Sequence, residues 1–163
     1  MTSFHGKFDI HTPSRVSFHD VTERVAEEVE SSGIKNGIAL VFSQHTTCSV
    51  VIQEPSHDTN YHGTEFLLQD TINILSDLVP TALTEGQYLH PGPKHIADAR
   101  SRGESAWMSL NVDAHLRSIM LGRSESIPIV DGTLQLGEFG RIFFADFDQV
   151  RDRDRTVQVQ IVG

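Results

Sequence analysis

Three histidines and a handful of oxygen-bearing side chains stand where chemistry could be done. His45 closes the apolar run Gly37 to Ser43, His90 lies in a stretch rich in proline and glycine, and His115 sits in the segment NVDAHLRS. Imidazole is the commonest ligand for zinc and similar ions, and three converging rings with an open position are the arrangement of a catalytic metal site. The three lie far apart in sequence, so only the fold can assemble them. Taken singly, each ring is more often a hydrogen-bonded surface or core residue. His57, His62 and His95 have spacings that match no ligand pattern and read as solvated loop residues.

The knot His45-Thr46-Thr47-Cys48 follows one apolar run and precedes another, Val50 to Ile52, which ends in Gln53-Glu54. Polar groups beside a core are costly unless they are bonded or bind something. Glu54 is therefore a candidate base or metal ligand, or equally a cap for the next turn. Thr46 and Thr47 can offer hydroxyls to a phosphate or satisfy turn amides. Asp70 lies on the polar face of an expected helix. Cys48 fits a small apolar role better than that of a nucleophile, because no acidic group nearby in sequence would orient His45 as its base. In DQVRDRDR, Arg151, Arg153 and Arg155 fall on one face if the segment is extended, with Asp152 and Asp154 opposite. Such a face suits a phosphate, or forms a salt-bridged strand start.

The chain has 163 residues, enough for one domain spanning 1–163. Twenty-two acidic residues against 13 basic ones give a formal net charge of -9, which repels nucleic acid. The lone cysteine offers no internal disulfide, and no apolar run is long enough for a membrane span. With no signal-peptide pattern, the expected location is the cytoplasm.

The elements that must position these residues follow from periodicity. Phe4 to Ile10 and Val16 to Phe18 read as two short strands broken at Thr12-Pro13. Asp20 and Glu23 have the spacing of a capping box ahead of a helix carrying Val21, Val25 and Val29, which should stop near Ser32-Gly33. Gly37 to Glu54 reads as two strands joined by a turn at Thr46-Thr47. Leu68, Ile72, Leu75 and Val79 predict a helix within Thr64 to Val79, ended by Pro80. Thr81 to Leu110 shows little periodicity and reads as a long functional loop carrying Tyr88, His90 and His95. A short helix follows from Asp113 to Leu121. Asp131-Gly132 marks a hairpin between Ile127 to Val130 and Thr133 to Leu136. Arg141 to Phe147 and Thr156 to Val162 complete the sheet. The expected class is α+β: mixed or antiparallel sheets packed with two to three helices. Because Arg141 to Phe147 is apolar on both faces, one face is expected to need cover from another copy, making a homo-oligomer.

HTTCSVVIQE, the Asp70 helix ending LVP, Tyr88-Leu89-His90, NVDAHLRS with Gly122, and LGEFGRIFFADFDQVRDR together resemble, in order, the signature blocks of the YjbQ-like family, from about Phe8 onward. Its members are often labelled secondary thiamine-phosphate synthase enzymes. The resemblance implies a compact α+β fold, a trimer, a metal site on His45, His90 and His115, and a weak ability to make thiamine phosphate. That reaction joins a pyrimidine diphosphate to a thiazole phosphate and expels pyrophosphate. In it, Glu54 or Asp70 would move protons, and Arg151 or Arg153 would meet phosphate. Histidine ligands suit zinc or another transition ion better than magnesium. The alternatives are a metal-dependent hydrolase of a small phosphorylated molecule and a non-catalytic metal-containing binding or assembly module. Three blocks depart from the family pattern: Gln53-Glu54 replaces Asn-Glu, Gly137-Glu138-Phe139-Gly140 replaces Gly-Thr-Trp-Gln, and Asp148-Gln149-Val150-Arg151 replaces Asp-Gly-Pro-Arg. The stretch from His90 to Asn111 is also longer than in compact members.

Overall fold

Two antiparallel sheets lie face to face; one helix packs into the core between them, and two others cover the outer face of the smaller sheet. In the computed structural model, which describes residues 2–163, the strands are β1 (Ser3–Thr12), β2 (Ser17–Asp20), β3 (Gly37–Ser43), β4 (Cys48–Gln53), β5 (Ser124–Val130), β6 (Thr133–Leu134), β7 (Arg141–Asp146) and β8 (Arg153–Val162). The helices are α1 (Thr22–Ser32), α2 (Phe66–Leu78), α3 (Pro93–Ser101) and α4 (Val112–Leu121), with a single 3-10 turn at Ala106–Ser109. One sheet has the order β1-β8-β3-β5-β6 and the other β2-β7-β4. All pairings between named strands are antiparallel.

The alternation along β8 fixes the first core. Val157, Val159 and Ile161 are fully buried while Gln158 and Gln160 turn to the other face. They meet Ala39 and Val41 of β3, Val50 of β4, Ile142 and Phe144 of β7, and Val25 and Val29 of α1. A second core lies on the far side of β7, where Ala145 and Phe147 pack with Val16, with Leu75 of α2 and with Ala114 of α4. Both faces of β7 are thus covered within one chain. The expectation that this strand leaves an apolar face for another copy does not hold.

Three further expectations are corrected. The segment 81–110 is not structureless: Pro93 sits in the first turn of α3, where its missing N–H costs nothing, and Ile96 and Ala99 are buried. Two anchors three residues apart are too short a period to stand out among prolines and glycines. The helices accordingly number four rather than two to three. Nor does the Asp20/Glu23 capping box form. Val21 occupies the cap position without a side-chain cap, and Asp20 Oδ1 accepts the Thr22 amide at 2.9 Å. The helix entry is held by β7 instead: the Val21 amide donates to the Ile142 carbonyl at 2.8 Å and the Ile142 amide to Thr22 Oγ1 at 2.9 Å. At its other end α1 stops at Gly33, whose φ of 67° belongs to the left-handed region.

The hairpin between β5 and β6 turns on Asp131 and Gly132, with φ of 52° and 80°, the positive pair that a two-residue turn demands. By contrast β3 and β4 are not a hairpin, since they belong to different sheets. His45, Thr46 and Thr47 form the corner at which the chain crosses from the large sheet to the small one.

Candidate functional site

The corner is held from both sheets. His45 Nε2 accepts the Thr156 amide of β8 at 2.9 Å, so in the neutral ring the proton sits on Nδ1. Burial, and then the nearby Arg155, hold this imidazole below the usual histidine range. Thr47 is buried, its hydroxyl accepting from Arg155 Nη2 at 3.0 Å and its carbonyl from the Phe147 amide at 3.1 Å. Thr46, between them, is exposed, and its carbonyl lies 3.2 Å from His115 Nδ1. A carbonyl can only accept, so His115 carries its proton on Nδ1 and leaves Nε2 with a free lone pair.

His90 and His95 join His115 here. The His90 ring centroid is 4.6 Å from that of His95 and 5.8 Å from that of His115, both edge to face. His90 Nε2 is buried and has no hydrogen-bond partner. Burial, reinforced by His95 and His115, lowers the His90 pKa and keeps the ring neutral at pH 7. Zinc–imidazole bonds of about 2.0–2.1 Å place the centroids of two ligating rings roughly 5 Å apart at a tetrahedral angle, and both separations lie close to that. Each of the two ring pairs, His90–His95 and His90–His115, thus has about the spacing of two ligands of one ion. Among the described residues no group of three or more His, Cys, Asp or Glu side chains is placed so as to hold a metal ion. His95 stands on α3 rather than in a loop and its ring meets His90, but it is exposed, as are His57 and His62. His45, with Nε2 committed to β8, is placed differently from the other two expected ligands.

Beneath the corner lies a buried charged network. Arg155 grips Asp146 with two bonds, Nε to Oδ2 at 2.7 Å and Nη2 to Oδ1 at 3.1 Å. Thr12 Oγ1 donates to Asp146 Oδ2 at 2.8 Å, and the Asp148 amide donates to Asp146 Oδ1 at 3.0 Å. Asp148 in turn meets Arg153 Nη2 at 3.0 Å and accepts from Asn111 Nδ2 at 3.1 Å. Arg153, expected to face phosphate, is thus answered by Asp148. Arg151 lies outside β8, 4.0 Å from Glu104. A second buried pair, Asp113 with Arg117 at 3.4 Å, ties α4 to the end of α2, since Arg117 Nη2 donates to the Val79 carbonyl at 2.8 Å.

Two expected residues are not brought to the corner. Glu54 is exposed just past the other end of β4, on the order of 20 Å along the strand from Cys48. Asp70 is exposed on α2, whose Leu68 and Thr71 line a pocket with Ile52 and Gln53 at that same end. Among the described residues neither shares a hydrogen bond, an ion pair or the groove at Thr46 and His115 with the histidines. Cys48 is fully buried, and burial, then the charge of Asp146, pushes its thiol up to about 12, which removes it as a nucleophile at neutral pH.

The sequence reading missed Asp146, Asp148 and Arg123. The acids could have been paired with the alternating arginines only once β7 and β8 were known to flank the same corner. Arg123 had a nearer signal, a lone cation after the glycine that ends the His115 helix. It lines a groove of about 290 Å³ with Thr46, His115, Ser118, Ile119 and Gly122.

The family model described as "UPF0047 protein YjbQ-like" matches residues 6–163. The chain belongs to the YjbQ-like family. A UPF0047 protein of Methanothermobacter thermautotrophicus is 34% identical over 154 residues, covering 94% of this chain and 88% of that one. The UPF0047 protein YugU of Bacillus subtilis is 27% identical, covering 94% and 96%. Among solved structures, an uncharacterised conserved YjbQ/UPF0047 family protein of Clostridium acetobutylicum superposes with a TM-score of 0.72 at 27% identity, covering 96% of this chain and 98% of that one. A hypothetical protein of Aeropyrum pernix gives 0.72 at 28%, covering 98% of both. The YjbQ-like fold is thus shared from end to end. No helix among the described residues is long and apolar enough to cross a membrane.

Proposed function

We propose that this YjbQ-like protein is a metal-dependent enzyme acting on a small phosphorylated molecule, with a divalent transition ion, zinc by preference, held by His90, His95 and His115. The observation that carries the reading is the buried, unbonded Nε2 of His90 in edge contact with two further imidazoles. A buried polar atom without a partner calls for one, and an ion would satisfy it. The Thr46 carbonyl would act as the outer partner that fixes the His115 tautomer, as such carbonyls do for metal-bound histidines. When bound, the ion would stabilise negative charge on a departing phosphate or pyrophosphate. The named reaction within this reading is the formation of thiamine phosphate from a pyrimidine diphosphate and a thiazole phosphate.

Glu54 and Asp70 enter such a site only from a second copy. The exposed apolar side chains Ile74 and Leu78 on α2 and Ile119 and Met120 on α4 support a homo-oligomer, with a trimer as its proposed form. Hydrolysis of a phosphate ester is the second reading, in which the same ion would lower the pKa of a water and make it the nucleophile. The single buried thiol suits a reducing compartment, and the cytoplasm is the proposed location.

Metal analysis of purified protein tests the proposal: near-stoichiometric transition metal is expected, lost in His90→Ala, His95→Ala and His115→Ala and retained in His45→Ala. Thiamine precursors and a panel of phosphate esters then separate transfer from hydrolysis. Metal without turnover would make the protein a binding module, and metal-free protein after growth with added zinc would overturn the assignment.

A further inference from the structure

Most of the arginines near the corner are already answered by carboxylates: Arg155 by Asp146, Arg153 by Asp148, Arg117 by Asp113 and Arg151 by Glu104. Arg123 is not. Among the described residues its guanidinium meets no carboxylate; Nη1 reaches the Gln44 carbonyl at 3.5 Å, and the group sits 5.6 Å from the Phe42 ring centroid. Its backbone is nevertheless fixed, because the Arg123 carbonyl accepts the Ser43 amide at 2.8 Å. The Arg123 backbone is therefore held next to the corner while most of the five guanidinium donors are unspent.

The groove it lines holds two more uncommitted groups. The Thr46 hydroxyl makes no hydrogen bond among the described residues and can donate, and His115 Nε2, left free when Nδ1 bonds the Thr46 carbonyl, is an acceptor that would face an ion rather than the anion itself. No carboxylate stands on the groove wall, which consists of Thr46, His115, Ser118, Ile119, Gly122 and Arg123. In a chain of net charge -9 an unpaired guanidinium beside a free hydroxyl, with no carboxylate facing them, is a place for an anion. The carboxyl end of α4 opposes an anion here. That opposition is blunted, because the Ser118 carbonyl is already taken by the Gly122 amide at 2.9 Å and by Ser49 Oγ at 3.4 Å.

We infer that this groove is the subsite for the substrate's phosphoryl group, with the Arg123 guanidinium and the Thr46 hydroxyl donating to its oxygens beside the histidine cluster. This rests on the proposed metal-dependent reading for its place in catalysis, but not for the binding itself. It replaces Arg151 and Arg153 as the phosphate contact. It also gives Thr46 a different task from Thr47: one faces the groove, and the other is locked to Arg155. A planar fork that can hold two phosphate oxygens at once explains why an arginine serves here better than a lysine.

Titration calorimetry with two probes, inorganic phosphate and phenyl phosphate, on zinc-loaded and on chelator-stripped protein, tests the assignment. Both forms are expected to bind phenyl phosphate, with affinity at least tenfold weaker in Arg123→Gln, weakened in Thr46→Val, and partly kept in Arg123→Lys. Tighter binding of phenyl phosphate than of inorganic phosphate identifies an ester site, and the reverse identifies a site for the released ion. Unfolding temperatures within a degree or two of the parent certify that the variants are folded. Equal affinity in Arg123→Gln and the parent, or no binding of either probe, overturns the subsite. Binding that depends on Arg123 in a protein that takes up no metal leaves the subsite standing and sinks the metal reading alone.

Discussion

Arg155 and Asp146 show what a single buried charge contributes to the corner. The pair is bidentate and almost fully buried, and Thr12, Thr47 and the Asp148 amide complete its hydrogen bonds. A satisfied buried pair adds little net stability, yet removing one partner leaves the other charge stranded. Arg155→Ala should therefore destabilise the fold by about 3–5 kcal/mol, read from denaturant unfolding at constant slope. The histidines set a pH dependence in the same region. His19, His45 and His90 all have lowered pKa values, in each case chiefly through burial. The folded chain thus binds fewer protons than the unfolded one once pH falls below roughly 6.5, and stability must drop as pH falls from there toward the depressed folded values. Melting temperatures recorded from pH 7.5 to 5 should decline, and His90→Gln should shrink the decline. Any bound metal should leave over the same interval, because protons compete for the ligating nitrogens.

Among the elements, those with a strong period were legible from the sequence and those with weak or borrowed anchoring were not. The alternation of Val157, Val159 and Ile161 announced β8, and Leu68, Ile72 and Leu75 announced α2. Helix α3 escaped because only Ile96 and Ala99 are buried along it. The capping box at Asp20 and Glu23 failed for another reason: β7 supplies the hydrogen bonds a cap would have made, which no local pattern reveals. For the site, His90 and His115 were legible as candidates, while His95 was hidden with its helix and the acids Asp146 and Asp148 with the pairing of distant strands. The shallow anchoring of α3 carries a prediction. Ile96→Asp should detach α3 and release His95 while the sheets stay folded, so hydrogen exchange should quicken over 93–101 but not along β8. Phe144→Ala, in the core between the sheets, should instead cost about 3–5 kcal/mol globally. If Ile96→Asp unfolds everything in one step, α3 is part of the same cooperative unit.

At the scale of the whole molecule, apolar surface is left over where the helices face outward. Ile119 is 76% exposed and Ile74 60%, and side chains of this kind on two neighbouring helices are what a symmetric assembly would cover. Light scattering is expected to give a multiple of the monomer mass, and the double variant Ile74→Asp, Ile119→Asp a monomer; a monomeric parent at micromolar concentration would refute the assembly. If Glu54 works across such a boundary, Glu54→Gln should abolish turnover while leaving metal content and mass unchanged.

The corner at 45–47 has a mechanical meaning as well. It is a short tether between two plates, with His45 tied to β8 of one and Thr47 to the end of β7 in the other. Sliding one sheet over the other by a fraction of an ångström would draw the Thr46 carbonyl along the His115 ring and turn that ring. A ligand seated in the groove should then hold the corner, and protonation of His45 Nε2 should release its bond to the Thr156 amide. The Thr156 amide should report this, exchanging slowly at neutral pH, faster in acid than its neighbours along β8, and slowly again when the groove is filled.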